Sequence, residues 1–372
     1  MLPIQTLWTA FFDGPNWKSL RTRAGLPVLL CMFSVFGHAQ AAQYSFMHLG
    51  ISGTLNGVHQ PVGISASGEV VGYNEQANTG FIWTSGGGLT WLNILRALSQ
   101  AAGISGNGTY IATGSWNGSL VYIGGNVDGF YVTGYTYPQN LSYAVNDYGD
   151  AVGQTQVAVV NGQPQYEAFY YSQNDYGQTF KYLGTLGGAT SVAYGINDTN
   201  LIVGSSANSA GYVRAFYSFR TGPPTDFDPG DTIYDSAAYA VNKNGLVAGV
   251  INRGRCPGRV ISFRCRGPYY YPVTFSGSTI TSLGSLGGAA GAALALDSYG
   301  NVVGWSQTTS GQHHAFLYVN GHMIDMNSLS MIGATGWTLT DAAAINDAGM
   351  IVGHAVDSTG HDEVFVLLPI GV

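Results

Sequence analysis

A ten-residue phrase recurs seven times along the chain. Its last copy is Ala344-Ile345-Asn346-Asp347-Ala348-Gly349-Met350-Ile351-Val352-Gly353. The other copies begin at Gly63, Gly103, Ala144, Gly195, Ala240 and Ala295, at intervals of 40 to 55 residues. A period of that length marks a ring or stack of equivalent supersecondary units, and it bounds the fold before composition is considered. Each copy reads small, aliphatic, polar, two turn residues, glycine, any residue, aliphatic, small or aliphatic, glycine. The second copy departs most, ending on Ala112 where the others have glycine.

The phrase reads as strand, tight turn, strand. Asn, Asp or Ser opens the turn, because a short polar side chain can bond its own backbone two residues on. Glycine closes it where positive φ is needed, as in a type I turn followed by a G1 bulge. The fourth copy has Asn200 in place of that glycine, and Asn is the next-best residue for a left-handed conformation. The aliphatic pairs Val70/Val71, Ile202/Val203 and Ile351/Val352 then begin a buried strand.

A third strand follows, with the pattern Ala168-Phe169-Tyr170, Ala215-Phe216-Tyr217 and His314-Ala315-Phe316-Leu317-Tyr318. Phe81-Ile82-Trp83 and Val364-Phe365-Val366 are degenerate versions. A short fourth strand runs into Leu183-Gly184-Thr185-Leu186-Gly187-Gly188 and Leu283-Gly284-Ser285-Leu286-Gly287-Gly288. Four ordinary strands with their loops need roughly 40–45 residues, which the repeat supplies.

These strings resemble the HAF-family probable extracellular repeat of exported bacterial proteins. The resemblance rests on His314-Ala315-Phe316, the Ala-Ile-Asn-Asp-x-Gly-x-Ile-Val-Gly phrase and Leu-Gly-x-Leu-Gly-Gly, and spans nearly everything after Tyr44. It implies export and a repeat architecture, and it names no activity. His precedes Ala-Phe once; Glu167, Arg214 and Gly80 are read at that position elsewhere, so the His is not obligatory to the repeat.

Residues 1–41 read as a secretory leader. Lys18, Arg21 and Arg23 precede an apolar stretch from Ala24 to Phe36, too short to span a bilayer comfortably. Small-x-small cleavage signals follow at Gly37-His38-Ala39 and Ala39-Gln40-Ala41. The remainder, 42–372, reads as a single repeat domain, secreted or periplasmic, without a membrane span after cleavage, and monomeric. Gly is 54 of 372 residues, Tyr 24, and charged residues only 9%, a composition that argues for glycine-rich all-β structure rather than disorder. Without the leader, ten basic and nineteen acidic residues remain, which disfavours nucleic acid as a partner.

Seven four-stranded units predict an all-β, seven-bladed propeller. The last repeat stops at its third strand, while Phe46-Met47-His48-Leu49-Gly50 resembles Phe180-Lys181-Tyr182-Leu183-Gly184. The N-terminal segment is therefore expected to supply the missing strand and close the ring, removing the edges an open stack would carry. The alternative fold is an open β-solenoid, for which no capping repeat is visible.

Few residues point to chemistry. Asp226, Asp228 and Asp231 surround Pro229-Gly230; a calcium loop and a solvated turn are both open readings, and no other cofactor is implied. His313, His314, His322, His354 and His361 crowd the last sixty residues, and two of them with Asp325 make a zinc site conceivable, but adjacent His313 and His314 fall on opposite sides of a strand. Glycoside chemistry needs two carboxylates on one face. Glu69, Glu75, Glu167 and Glu363 are the glutamates after the leader, and many aspartates, including Asp147, Asp198 and Asp347, occupy the turn slot. Arg253, Arg255, Arg259, Arg264 and Arg266 cluster around Cys256 and Cys265, which read as a disulfide pinning a basic insertion at 253–268. Such a finger on an acidic body would suit an anionic glycan or envelope polymer. The chain thus reads as a non-catalytic exported binding or scaffold module, with an extracellular carbohydrate-active hydrolase or lyase, its site at the propeller channel, as the alternative.

Overall fold

Each phrase is a β-hairpin, and its turn glycine is left-handed in every copy that has one. In a computed structural model of the chain, Gly68, Gly108, Gly149, Gly245, Gly300 and Gly349 have φ between 74° and 87°, and Asn200 has φ 60°. The structure describes residues 43–51, 63–74, 79–92, 100–115, 118–123, 126–130, 140–172, 179–228, 230, 234–252 and 269–370. Residues 1–42, Asp231 and residues 253–268, with Cys256, Cys265 and the five arginines, lie outside the described residues.

The phrase-final glycine has a different cause. It pairs across the sheet with the third-strand phenylalanine, as in Gly204↔Phe216, Gly304↔Phe316 and Gly353↔Phe365. A Cβ on Gly204 would meet the Phe216 ring at 2.7 Å and collide with the carbonyl oxygen of Val192. Glycine there lets the aromatic ring lie flat on the strand. The second copy fits the same logic: Ala112 replaces the glycine, and its cross-strand partner is Val121.

The described strands form six hydrogen-bonded sheets, five of four strands and one of eight. The fourth repeat shows the pattern: Gly187–Ile196, Leu201–Asn208, Val213–Phe219 and Thr225–Asp226, each antiparallel to the next. The eight-stranded sheet holds the second and third repeats, joined where Asn140 and Leu141 pair with Ser115 and Gly114. The seventh repeat supplies Trp337–Ile345, Ile351–Asp357 and Asp362–Ile370, and its fourth strand is Gln43–His48. Phe46 faces Leu367 and His48 faces Phe365, the register in which Phe180 faces Tyr171 and Tyr182 faces Phe169. The terminal strands therefore close the structure, and the open solenoid is excluded.

The apolar cores lie between successive repeats rather than within one. Val152, Ala168 and Tyr170 of the third pack on Ile196, Ile202 and Phe216 of the fourth. Val203 and Ala215 pack on Val247, Val273 and Phe275 of the fifth, and Val352 and Val366 of the seventh pack on Val70, Phe81 and Trp83 of the first. The first strands touch one another in sequence around the whole circuit and form the inner wall. The result is an all-β propeller.

The turn asparagines tie this ring together. Asn242 Oδ1 accepts the N–H groups of Asn244 and Leu246 in its own turn, each at 3.0 Å. Its Nδ2 donates outward to the backbone oxygen of Asp297 in the next turn, at 2.9 Å. Asn146 likewise donates to the oxygen of Asn197, Asn197 to that of Asn242, and Asn346 across the closure to that of Ser65. The sequence reading found the first half of this role and missed the second. Asp297 holds its own turn but lacks an amide to donate onward.

One ionic group lies deep in the closing sheet. His354 is buried, and its Nδ1 lies 2.9 Å from Asp341 Oδ1. Burial alone would lower its pKa, but the Asp341 carboxylate, with Asp362 nearby, outweighs burial and raises it.

Three outcomes are expected. Deleting Tyr44–Gly50 removes the closing strand and should lower the melting temperature sharply; an unchanged value would refute closure. Asn242→Ala strips three hydrogen-bond partners and should cost about 3 kcal/mol in urea unfolding, whereas Asp297→Asn, which supplies an outward amide but sets it against the Asn301 amide that bonds Asp297 Oδ2, should change stability by no more than about 1 kcal/mol. The His354 contribution is fully present below the unfolded histidine pKa of about 6.5 and is lost as pH rises through the higher folded value. His354→Gln should therefore flatten the fall in stability from pH 6 to alkaline conditions measured by thermal unfolding.

Candidate functional site

The end of the propeller that carries the phrase turns is a ring of backbone and carboxylates. The residue after each turn Asn is Asp147, Asp198 or Asp347 in three repeats, Lys243 and Ser298 in two others. Asp147 Oδ1 accepts the Asn107 N–H at 2.8 Å, Asp198 Oδ1 that of Asp147 at 2.9 Å, and Asp347 Oδ1 that of Ser298 at 2.8 Å. Lys243 Nζ reaches over the sixth turn to Asp347 Oδ2 at 3.0 Å. Partial burial would raise the Asp347 pKa, but the bonds from Ser298 and Lys243 prevail and hold it down. These carboxylates brace neighbouring turns.

Inside this ring the first strands carry a regular irregularity. Each first strand described through this point skips one residue in its pairing with the second, three residues before the turn Asn or its equivalent. The skipped residues are Ala102, Tyr143, Tyr194, Tyr239, Leu294 and Ala343. Three consecutive repeats thus place tyrosines side by side on the inner wall. Ring centroids are 5.6 Å apart from Tyr143 to Tyr194 and 5.4 Å from Tyr194 to Tyr239, with planes inclined by 54° and 59°. Each side chain is half-buried. Burial pushes all three phenols up, and for Tyr143 and Tyr239 the neighbouring Tyr194 adds to the shift. They remain neutral donors at any physiological pH. Sequence reading missed them because they stand one residue ahead of the recurring phrase.

The opposite end of the sheets holds a second recurring arrangement. The third-strand residue two before the phenylalanine bonds the fourth strand. Arg214 Nε meets Asp226 Oδ2 at 3.1 Å, and His314 Nδ1 meets Asp325 Oδ2 at 2.8 Å. In the last repeat the signs invert: Glu363 Oε2 accepts from His48 Nδ1 at 2.7 Å and from the Gly50 N–H at 3.1 Å. The register corrects one assignment. Gly72 faces Phe81, so Gly80 matches the alanine position and Thr79 stands at the histidine position, bonding the Leu92 oxygen at 2.9 Å. Glu363, omitted from that series, belongs to it. Glu167 also occupies it, and burial raises its carboxyl despite the Gly184 N–H.

Asp226, read as a calcium ligand, gives one oxygen to Arg214 and the other to the Asp228 N–H at 2.9 Å. Arg214 is buried and also donates to the backbone oxygens of Tyr234 and Asp228. Among the described residues, no group of three or more His, Cys, Asp or Glu is arranged to hold a metal. The histidines disperse: His313 stacks on Trp305 at 4.3 Å, His314 pairs with Asp325, and His354 is interior. His361 and His48 do converge, on the two oxygens of the mostly buried Glu363, with Trp337 beside both rings. Arg253, Arg255, Arg259, Arg264, Arg266, Cys256 and Cys265 lie outside the described residues.

Known structures share this architecture at low identity. A mutant of puromycin hydrolase aligns with a TM-score of 0.54 and 11% identity, over 85% of this chain and 54% of that one. The β-propeller domain of Cps50 (Swd1) from Myceliophteria thermophila gives 0.46 and 10%, over 85% and 99%. A catalytically inactive virginiamycin B lyase from Staphylococcus aureus, with quinupristin, gives 0.45 and 15%, over 88% and 100%. At such identities the likeness concerns the fold alone. Comparison with curated protein sequences finds no match. Residues 187–366, from the first strand of the fourth repeat into the last strand of the seventh, match the family described as "Protein of unknown function (DUF3466)". Residues 187–366 are thus similar to the DUF3466 family, within a chain folded as an all-β propeller.

Proposed function

We propose that the chain is an exported, non-catalytic binding module of the HAF-repeat type, folded as a seven-bladed propeller and taking its ligand at the inner wall. Seven blades follow from counting the eight-stranded sheet as two, since it holds two copies of the phrase. The observation that carries the reading is the tyrosine arc of Tyr143, Tyr194 and Tyr239, which faces the inner wall from three consecutive blades. The turn-face carboxylates support it from the other direction, because each is engaged by a neighbouring amide. The leader at residues 1–41 supports secretion or periplasmic residence. The arginine-rich insertion remains the proposed contact for an anionic envelope polymer.

One observation favours the hydrolase or lyase alternative. Glu363 with His48 and His361 is the described cluster best suited to proton transfer, and it sits on the end opposite the turns. The repeat gives it a structural task, since Arg214–Asp226 and His314–Asp325 clasp the same strands.

The test is a glycan array, extended with small organic ligands and anionic polymers, probed with the purified protein and a Tyr143→Leu/Tyr194→Leu/Tyr239→Leu variant. Leucine is tolerated in this slot at Leu294. Binding of a small ligand should fall by about tenfold or more in the variant. Binding equal in both proteins would move the site away from the inner wall, and turnover of a bound glycan, lost in Glu363→Gln, would establish the alternative.

A further inference from the structure

We propose that the tyrosine arc is a site for an organic cation, specifically a quaternary or alkylated ammonium head entering from the turn face. The proposal rests on the reading of the inner wall as a binding surface and adds the chemical class of the ligand.

The repeat does not require the rings. The same bulge slot is filled by Ala102, Leu294 and Ala343 in other blades, so inner strands pack there with small or aliphatic side chains. Tyrosine in three consecutive blades is therefore a local departure from what the fold needs. The small residues Ala343 and Ala102 lie on the part of the circuit that the tyrosines leave open, so the wall is aromatic on one side and recessed on the other.

The geometry selects among ligands. A sugar ring prefers one flat aromatic platform. Here the planes turn by 54° and then 59° from one blade to the next, giving a curved surface of successive ring faces and edges. A rounded cation gains from several inclined rings at once, since each contributes the negative face of its quadrupole.

Charge points the same way. The basic residues among those described are Lys181, Arg214, Arg220 and Lys243. Arg214 is spent on Asp226 and Lys243 on Asp347. Lys181 bonds the Thr221 oxygen on the outer part of its blade. Among the described residues, the turns themselves carry Asp147, Asp198 and Asp347 with Lys243, while Arg220 lies beside the fourth turn at the end of its third strand, its N–H bonding the Asn200 oxygen. A field of that sign draws cations and repels anions.

The experiment titrates the purified full chain with tetramethylammonium chloride at millimolar concentrations, following tyrosine fluorescence and heat, with sodium chloride matched for ionic strength. Methyl β-glucoside serves as the neutral-sugar probe. Saturable tetramethylammonium binding is expected, weakened about tenfold in Tyr194→Leu, nearly unchanged in Tyr194→Phe, and about two- to threefold weaker in Asp198→Asn. Circular dichroism confirms that each variant folds; Tyr194→Phe provides a conservative check should Tyr194→Leu unfold. Absence of saturation, or equal affinity in wild type and Tyr194→Leu, overturns the proposal. Saturation by the glucoside alone overturns the cation assignment while leaving the inner wall as the binding site.

Discussion

The hydrogen bond from a turn asparagine to the backbone of the next turn is the constraint on which the ring depends. A propeller has no central core; each blade is held by its neighbours, and their angular spacing must close on itself. Here the spacing is set where the blades are narrowest. Asn146, Asn197 and Asn242 each hold their own turn with Oδ1 and grip the following turn with Nδ2, and Asn346 repeats this across the junction of last and first blades. A rigid side chain that serves two turns at once couples local geometry to global closure. Where the residue is Ser65 or Ser105 the hydroxyl is too short for both tasks, and backbone and neighbouring side chains supply the link, through Ala66 to Gly106 and Asn107 to Asp147.

Much of this was legible in the residues. The left-handed turn position followed from glycine and agrees with the substitution of Asn200, a residue that such a φ tolerates. The missing fourth strand was found at the other end of the chain because Phe46 to Gly50 carries the same pattern as Phe180 to Gly184, and the pairing registers agree. These features depend on near neighbours in sequence, where a residue's chemistry dictates its conformation.

What escaped the sequence depends on the third dimension. The outward amide of Asn242 has its acceptor 55 residues away. The tyrosines were hidden because they stand one residue ahead of the recurring phrase, and only the strand pairing shows the skipped position they share. Gly80 was placed one position off for a related reason: the first repeat has no alanine ahead of Phe81 to fix the alignment, whereas the pairing of Gly72 with Phe81 fixes it directly. Glu363 went unnoticed as the partner of His48 because closure joins residues 315 apart, and because the pair carries its charges in the opposite order to Arg214–Asp226.

Repetition also changes what a charged residue means. In an ordinary enzyme an aspartate at the mouth of a channel invites a catalytic role. Here Asp147, Asp198 and Asp347 recur at one position, and each accepts an amide from the preceding turn. The same holds for Arg214 and His314 at the other end, whose acids face them across one strand pair. A site in a repeat protein must break the repeat, because a feature needed by every blade is explained by folding alone. Tyr143, Tyr194 and Tyr239 break it within a slot that other blades fill with alanine or leucine, beside turns whose carboxylates are fixed in place for structural reasons. The ring then supplies the negative field at no further cost, and three side chains suffice to give one arc of it a surface the rest lacks.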